Sequence, residues 1–188
     1  MIHQHEHAKP SALQRFRARI LRTIRAEDGV ASLEFVLAIP VILAVFMASM
    51  ESGVLMTRFI MLEQSVDVVM RKLRLGQYPN PDSDLLKEEI CKHTVIMNSC
   101  REAISIEMMP ISTTSWAMPT NSMGCVDREN NVQPALTFDP GAAHEVMLVR
   151  VCVAQDALFP TTGIGLKLPK DSQGGYGLVA VSAFVNEP

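Results

Sequence analysis

A long apolar stretch near the start of this chain carries no charge. Sixteen residues, 35–50, lie between Glu34 and Glu51 without a single charged side chain, and across 30–57 those two glutamates are the only interruptions. About 20 apolar residues cross a hydrocarbon core of roughly 30 Å, and 35–50 reaches that length once 30–33 and 52–57 are added. Glu34 and Glu51 are seventeen positions apart, about 25 Å along a helix at ~1.5 Å per residue, so each falls near one edge of the bilayer. A carboxylate costs far less there than at the centre. Pro40 sits inside the run, where it removes one helical hydrogen bond; in a membrane the freed carbonyls must find partners, so a modest kink is expected and a break is not.

After Gly53 the pattern changes. Val54, Leu55, Phe59, Leu62, Val66, Val69, Met70 and Leu73 recur at three- and four-residue steps, with Arg58, Glu63, Gln64, Asp67, Arg71 and Lys72 between them. That is an amphipathic helix face meant for a partner layer. Gly76 and Tyr78-Pro79-Asn80-Pro81 supply a glycine stop followed by breakers. The pattern predicts one helix over 30–75, half of it in a membrane and half packed on a domain.

The remainder, 76–188, reads as a small domain. Ser83 is a candidate helix cap ahead of Asp84-Leu85-Leu86-Lys87-Glu88-Glu89. Segments 103–109, 145–153 and 176–185 are rich in Val, Ile and Leu and predict strands. Between the first two, 110–144 is rich in Pro, Thr, Ser, Asn and Gly and reads as long loops. The expected class is α+β: a long N-terminal membrane-spanning helix packed on a small antiparallel sheet.

Composition supports a chain of two characters. Of 188 residues 48% are hydrophobic but only 5% aromatic, and mean hydropathy is +0.16. The formal charge of −3 is too nearly balanced to point to nucleic acid. Its distribution is uneven. Residues 1–29 carry Lys9, Arg15, Arg17, Arg19, Arg22 and Arg25 against Glu6, Glu27 and Asp28, a net of +3 that leaves −6 for the rest. A basic flank before an apolar run keeps the N-terminus in the cytoplasm and sends the following domain across the membrane. Ordinary signal cleavage fits badly, because the residue two before Ala48 is Phe46 and the one two before Ser49 is Met47, both large.

A different processing site fits. Gly29-Val30-Ala31-Ser32-Leu33-Glu34-Phe35 follows the basic leader. Gly29 has no Cβ and enters a narrow protease cleft without steric cost. Cleavage after it would leave a positive amine on Val30, which the Glu34 carboxylate one turn on, or its copy in a neighbouring subunit, can pair with; alternatively, Glu34 simply suits the positive end of a helix. Glycine with glutamate five residues later at the mouth of an apolar helix resembles the prepilin-peptidase site of type IV pilins. With Pro40 and Glu51-Ser52-Gly53, the stretch 15–75 is more closely similar to the TadE-type pseudopilins of the tight-adherence (Flp) pilus system. The resemblance implies a leader 1–29 removed by a prepilin peptidase, a pilin-like helix running through Phe35, Pro40, Glu51 and Gly53, and an inner-membrane location with the C-terminal domain in the periplasm. It also implies partners: the peptidase, other pilins and pseudopilins, and an inner-membrane assembly platform.

All four cysteines follow the apolar run. An even count in a domain facing the periplasm predicts two disulfides, and of three pairings the neighbour pairing Cys91–Cys100 and Cys125–Cys152 is expected. Nine helical residues would hold Cα atoms about 13 Å apart, against the 4.4–6.8 Å, roughly, that a disulfide tolerates; the helix starting near Ser83 must therefore stop before Cys100, with Asn98-Ser99 as the expected place. Zinc is disfavoured: there is no Cys-x-x-Cys, and His93 and His144 stand alone. His3, His5 and His7 alternate within the leader and make a weak metal site at best. Asp82, Asp84, Glu88 and Glu89 fit an exposed helix start, Ser172, His144 and Asp139 form no motif, and Trp116 suits either an anchor or a core. The expected function is pilus assembly without catalysis, cofactor or metal. The competing expectation is an uncleaved single-pass membrane protein whose periplasmic domain binds a partner.

Overall fold

The computed structural model describes residues 30–128, 134–161, 163–171 and 174–187. Helix α1 is Val30–Arg74, continuous through Pro40. It is followed by α2 (Ser83–Lys92), a helical turn α3 (Cys100–Ala103), strand β1 (Ile104–Ile111), β2 (Val146–Asp156), a short α4 (Gly163–Lys167) and β3 (Gly175–Val185). The strands form one antiparallel sheet in the order β1-β2-β3. The class is α+β, with the apolar N-terminal helix packed on a three-stranded sheet in a pilin-like arrangement. The chain divides into two compact units between Val45 and Phe46.

Register decides which residues make the core. Ile104, Ile106 and Met108 stand opposite Val153, Val151 and Val149, and these opposite Leu178, Ala180 and Ser182. With a period of two, they line one face of the sheet. Against it lie Leu62, Val66, Val69, Met70 and Leu73 of α1 and Leu86 and Ile90 of α2, all buried. Each such side chain, fully removed from water, contributes about 1.5–3 kcal/mol. β2 is buried on both faces over nine successive residues, which is why its sequence is apolar on both faces, broken only by Arg150 and Gln155, rather than alternating.

The ends of the helices follow local chemistry. Gly76 takes φ +68° and donates to the Leu73 carbonyl (3.0 Å), while Gln77 donates to that of Lys72 (3.1 Å). This paired closure needs a left-handed residue, so glycine stands there. The cap of α2 is Asp82, one residue before the expected Ser83: its carboxylate accepts from the Leu85 N–H at 2.6 Å. A carboxylate caps at least as well as a hydroxyl and also suits the positive end of the helix. α2 stops at Lys92, well before the expected Asn98-Ser99; it is Ser99 that turns left-handed (φ 48°), as the entry to α3.

Two disulfides close the domain, joining Cys91 to Cys100 (Cα–Cα 5.7 Å) and Cys125 to Cys152 (5.3 Å). The first ties the end of α2 to the turn that feeds β1. The second fastens the long loop after β1 onto the outer face of β2. The same loop is held by Ser105 Oγ donating to the Gly124 carbonyl (2.9 Å) and by Arg150, which donates to the Asn121 carbonyl (2.8 Å) and forms a buried cross-strand ion pair with Glu107. Gly177 lies above this second disulfide, where a Cβ would come within 2.7 Å of Cys125 Sγ.

Candidate functional site

The residues with functional promise lie along α1, and its two halves differ in kind. From Ala31 to Phe46 nearly every side chain is exposed, including Leu33, Phe35, Val36, Leu37, Val41, Ile42 and Val45, each at least 62% exposed. An 18-residue stretch of the helix, apolar enough to cross a membrane, has none of its residues buried. A core helix of a soluble domain has the same composition but the opposite burial. Glu34 and Pro40 are exposed on this half. Gly29 lies outside the described residues, as do His3, His5, His7 and Ser172.

On the second half the buried stripe includes two charges. Glu51 is 0% exposed. The sequence places it near one edge of the bilayer; in the structure its carboxylate accepts the backbone N–H groups of Leu158 (3.1 Å) and Phe159 (2.7 Å). Two turns on, Arg58 is 7% exposed and donates to the Asp156 carbonyl (2.7 Å) and the Tyr176 hydroxyl (2.8 Å). Expected among the polar positions, Arg58 instead belongs to the packed face. Together these side chains hold the chain leaving β2 against α1. Hydrogen bonds to charged groups contribute about 1.5–3 kcal/mol each. Arg58 Nε is buried without a hydrogen-bond partner among the described residues; it borders a cleft of about 270 Å³ shared with Glu102, Arg128 and Gln155. Arg128 is itself engaged by Asp156 (2.8 Å) and Asp171 (3.1 Å).

Extending the period back from Leu62 by four and then seven residues reaches Arg58 and Glu51, so the signal for both was present. Their charge hid it.

Gly53 faces open space, with nothing within 4 Å of where a Cβ would stand. Ser49, Gly53 and Thr57, four apart, line a groove of about 200 Å³ with Met50, Val54 and Ile96. Small residues at this spacing let a second helix approach closely.

The other candidates have local roles. Asp84, Glu88 and Glu89 pair with Lys87, Lys92 and Arg101. The hydrogen bond from Lys92 holds the Glu89 carboxyl below the ordinary carboxylate range, partial burial opposing it. Burial, then the Glu89 charge beside it, pushes the Tyr78 hydroxyl up. Asp139 accepts from the Gly141 N–H (2.9 Å), closing a turn. Trp116 is 58% exposed, outside the core. Among the described residues no three His, Cys, Asp or Glu side chains come together as metal ligands.

No family model, no curated protein and no solved structure matches this chain. The reading of function therefore rests on its own residues. One membrane-length apolar helix joined to a disulfide-bonded domain points to a single-pass membrane protein with an extracytoplasmic domain.

Proposed function

We propose that the chain is a TadE-like minor pilin or pseudopilin, inserted in the inner membrane and cut by a prepilin peptidase after Gly29 during assembly of a tight-adherence pilus. The observation that carries this reading is the division of α1: an unburied apolar half suited to lipid or to neighbouring helices, continuous with an amphipathic half that carries a disulfide-bonded sheet domain. The Ser49–Gly53–Thr57 groove supports it, since it offers a neighbouring pilin helix a close approach. In this reading Glu34 pairs with the new Val30 amine, its own or a neighbour's, and binding to the assembly platform follows insertion. The protein works by packing and performs no catalysis.

The test is the N-terminus of the protein recovered from its native membrane. Cleavage leaves 159 of the 188 residues, starting at Val30, and Gly29→Val blocks it so that the full-length form accumulates. Native protein starting before Val30 would sink the pilin reading. That outcome favours the second reading, an uncleaved single-pass protein whose extracytoplasmic domain binds a partner, for which the open sheet edge described next is the specific support. Glu34→Gln separates processing from assembly: cleavage stays near normal while incorporation with other subunits falls.

A further inference from the structure

The two edges of the sheet are treated differently. The outer edge of β1 is covered at Met108, whose N–H donates to the Thr137 carbonyl and whose carbonyl accepts from Asp139, each at 2.9 Å. Among the described residues no backbone group outside β2 pairs with β3 along 176–185. In an antiparallel strand every second residue turns its N–H and C=O away from its neighbour, so β3 presents a row of free donors and acceptors. Natural edges are guarded by charge, proline or a bulge. Gly175–Val185 contains neither a charged residue nor a proline, and it pairs with β2 residue for residue without a bulge. Its outward valines, Val179, Val181 and Val185, are 39%, 58% and 47% exposed.

A second feature lies alongside. Glu63 and Asp67 of α1, with Val66, Ala180 and Val181, line a groove of about 160 Å³. Both acids are exposed, and neither has an ion-pair partner among the described residues, in contrast to Glu88, Glu89, Glu107, Asp156 and Glu187. Like charges four apart on a helix repel, so this pair costs the isolated chain stability.

We propose that the outer edge of β3 is a docking site for an extended segment of a partner protein in which lysine or arginine alternates with aliphatic residues. A strand added to this edge continues the pleat. One of its faces turns toward α1, where Glu63 and Asp67 take the basic side chains, and the other extends the row of Val179 and Val181. Main-chain hydrogen bonds supply affinity and the alternation supplies specificity. A second copy of this chain fits worse. Antiparallel β3–β3 pairing about a two-fold axis keeps both α1 helices on the same face and brings both acidic pairs to the junction, where they repel. The inference does not depend on cleavage after Gly29.

The experiment uses the full chain in detergent micelles with its disulfides intact and a labelled, acetylated peptide of nine residues, lysine alternating with valine. The expected result is saturable binding by fluorescence anisotropy, with slowed hydrogen exchange of alternate amides in 176–185. The double variant Glu63→Gln/Asp67→Asn weakens binding about five- to tenfold, the size expected when two exposed charge pairs are lost. A peptide N-methylated at alternate residues, which cannot donate to the edge, does not bind. Val181→Lys weakens binding while mass mapping shows both disulfides unchanged. Absence of binding, equal binding of the N-methylated peptide, or equal binding of a glutamate–valine peptide each overturns the proposal. So does self-association of the chain that Val181→Lys abolishes, because the occupant would then be a second copy.

Discussion

The two halves of α1 are one helix in two solvents. In the first half, 31–46, nearly every side chain is apolar and exposed; the second is amphipathic and seats its apolar stripe on the sheet. Oddly, the buried charged side chains of α1, Glu51 and Arg58, belong to the amphipathic half, while the more apolar half is the exposed one. Apolarity along a helix therefore does not report burial within the chain; what reports it is whether the apolar positions form a stripe. A helix that is apolar on every side needs lipid or other helices around it. One that is apolar on a single side is satisfied by its own domain, and such a face tolerates a charge wherever backbone donors or acceptors are waiting for it.

The sharpest way to break this comparison is to make the same change in both halves. Leu62→Ala, in the packed stripe, is expected to destabilise the domain by about 2–5 kcal/mol in thermal or denaturant unfolding, the range for buried leucine truncations. Leu37→Ala, in the exposed half, leaves domain unfolding unchanged. Leu37→Arg reverses the contrast. It disfavours insertion by about 2.5–3.5 kcal/mol at mid-bilayer, seen as a larger fraction extracted by alkaline carbonate, while the disulfide-bonded domain unfolds as before. If Leu37→Arg lowers domain stability and spares insertion, the division of α1 is wrong.

Within the domain the disulfides are next in size. In the loop-closure account, the 9-residue separation of Cys91–Cys100 gives about 2.6 kcal/mol, and the 27-residue separation of Cys125–Cys152 about 3.5 kcal/mol. Paired Cys→Ser replacements are expected to rank in that order by midpoint of unfolding. An equal or inverted ranking would mean that the long loop is held mainly by Arg150, Glu107 and Ser105.

The helix, its glycine stop and the three strands were legible because each rests on a period or a breaker: three- and four-residue steps through Leu62, Val66 and Val69, Gly76 with Pro79 and Pro81, and runs rich in Val and Ile. The strand limits moved by one to three residues, as at Ile111 and Asp156, since pairing with a neighbour extends a strand past its apolar run. What could not be read was long-range. That Glu51 caps the backbone at 158 and 159, and that Arg58 reaches Tyr176, depends on a loop a hundred residues away. In the sequence Glu51 reads as a charge near the bilayer edge and Arg58 as one of the polar positions of the amphipathic half. The open edge of β3 was hidden in the same way, since strand order is set by topology and not by the strand's own residues.

Glu51→Gln tests whether charge or shape matters at the buried clamp. The amide keeps one acceptor oxygen for Leu158 or Phe159 but turns an N–H₂ group toward the other donor, so one charge-assisted bond is lost and a donor faces a donor. The expected loss is about 1.5–3 kcal/mol of domain stability, with membrane extraction unchanged. An unchanged unfolding midpoint would leave Glu51 only the role of a tolerated charge near the bilayer edge.

The smallest effect is in the exposed layer where α2 meets the end of α1. Glu89 accepts from Lys92 (2.6 Å) and from the Tyr78 hydroxyl (3.2 Å), and Lys72 lies 3.9 Å away. The Lys92 hydrogen bond holds the Glu89 carboxyl below its ordinary 4.5, although partial burial acts against it. A carboxyl lowered in the folded state binds its proton more weakly there than in the unfolded chain. Its stabilising contribution is therefore complete above the unfolded value and is lost as pH falls through the folded one. Lys92, raised above 10.5 chiefly by the same hydrogen bond, contributes fully below that value and loses its contribution as pH rises through the raised one. Wild type and Glu89→Gln compared by melting temperature from pH 7 to pH 3 should therefore differ most at neutral pH and converge below about 4.5. The gap should also narrow in high salt, because the pair is exposed and screened. A gap that widens toward low pH would reverse the sign of the linkage and remove this role from Glu89.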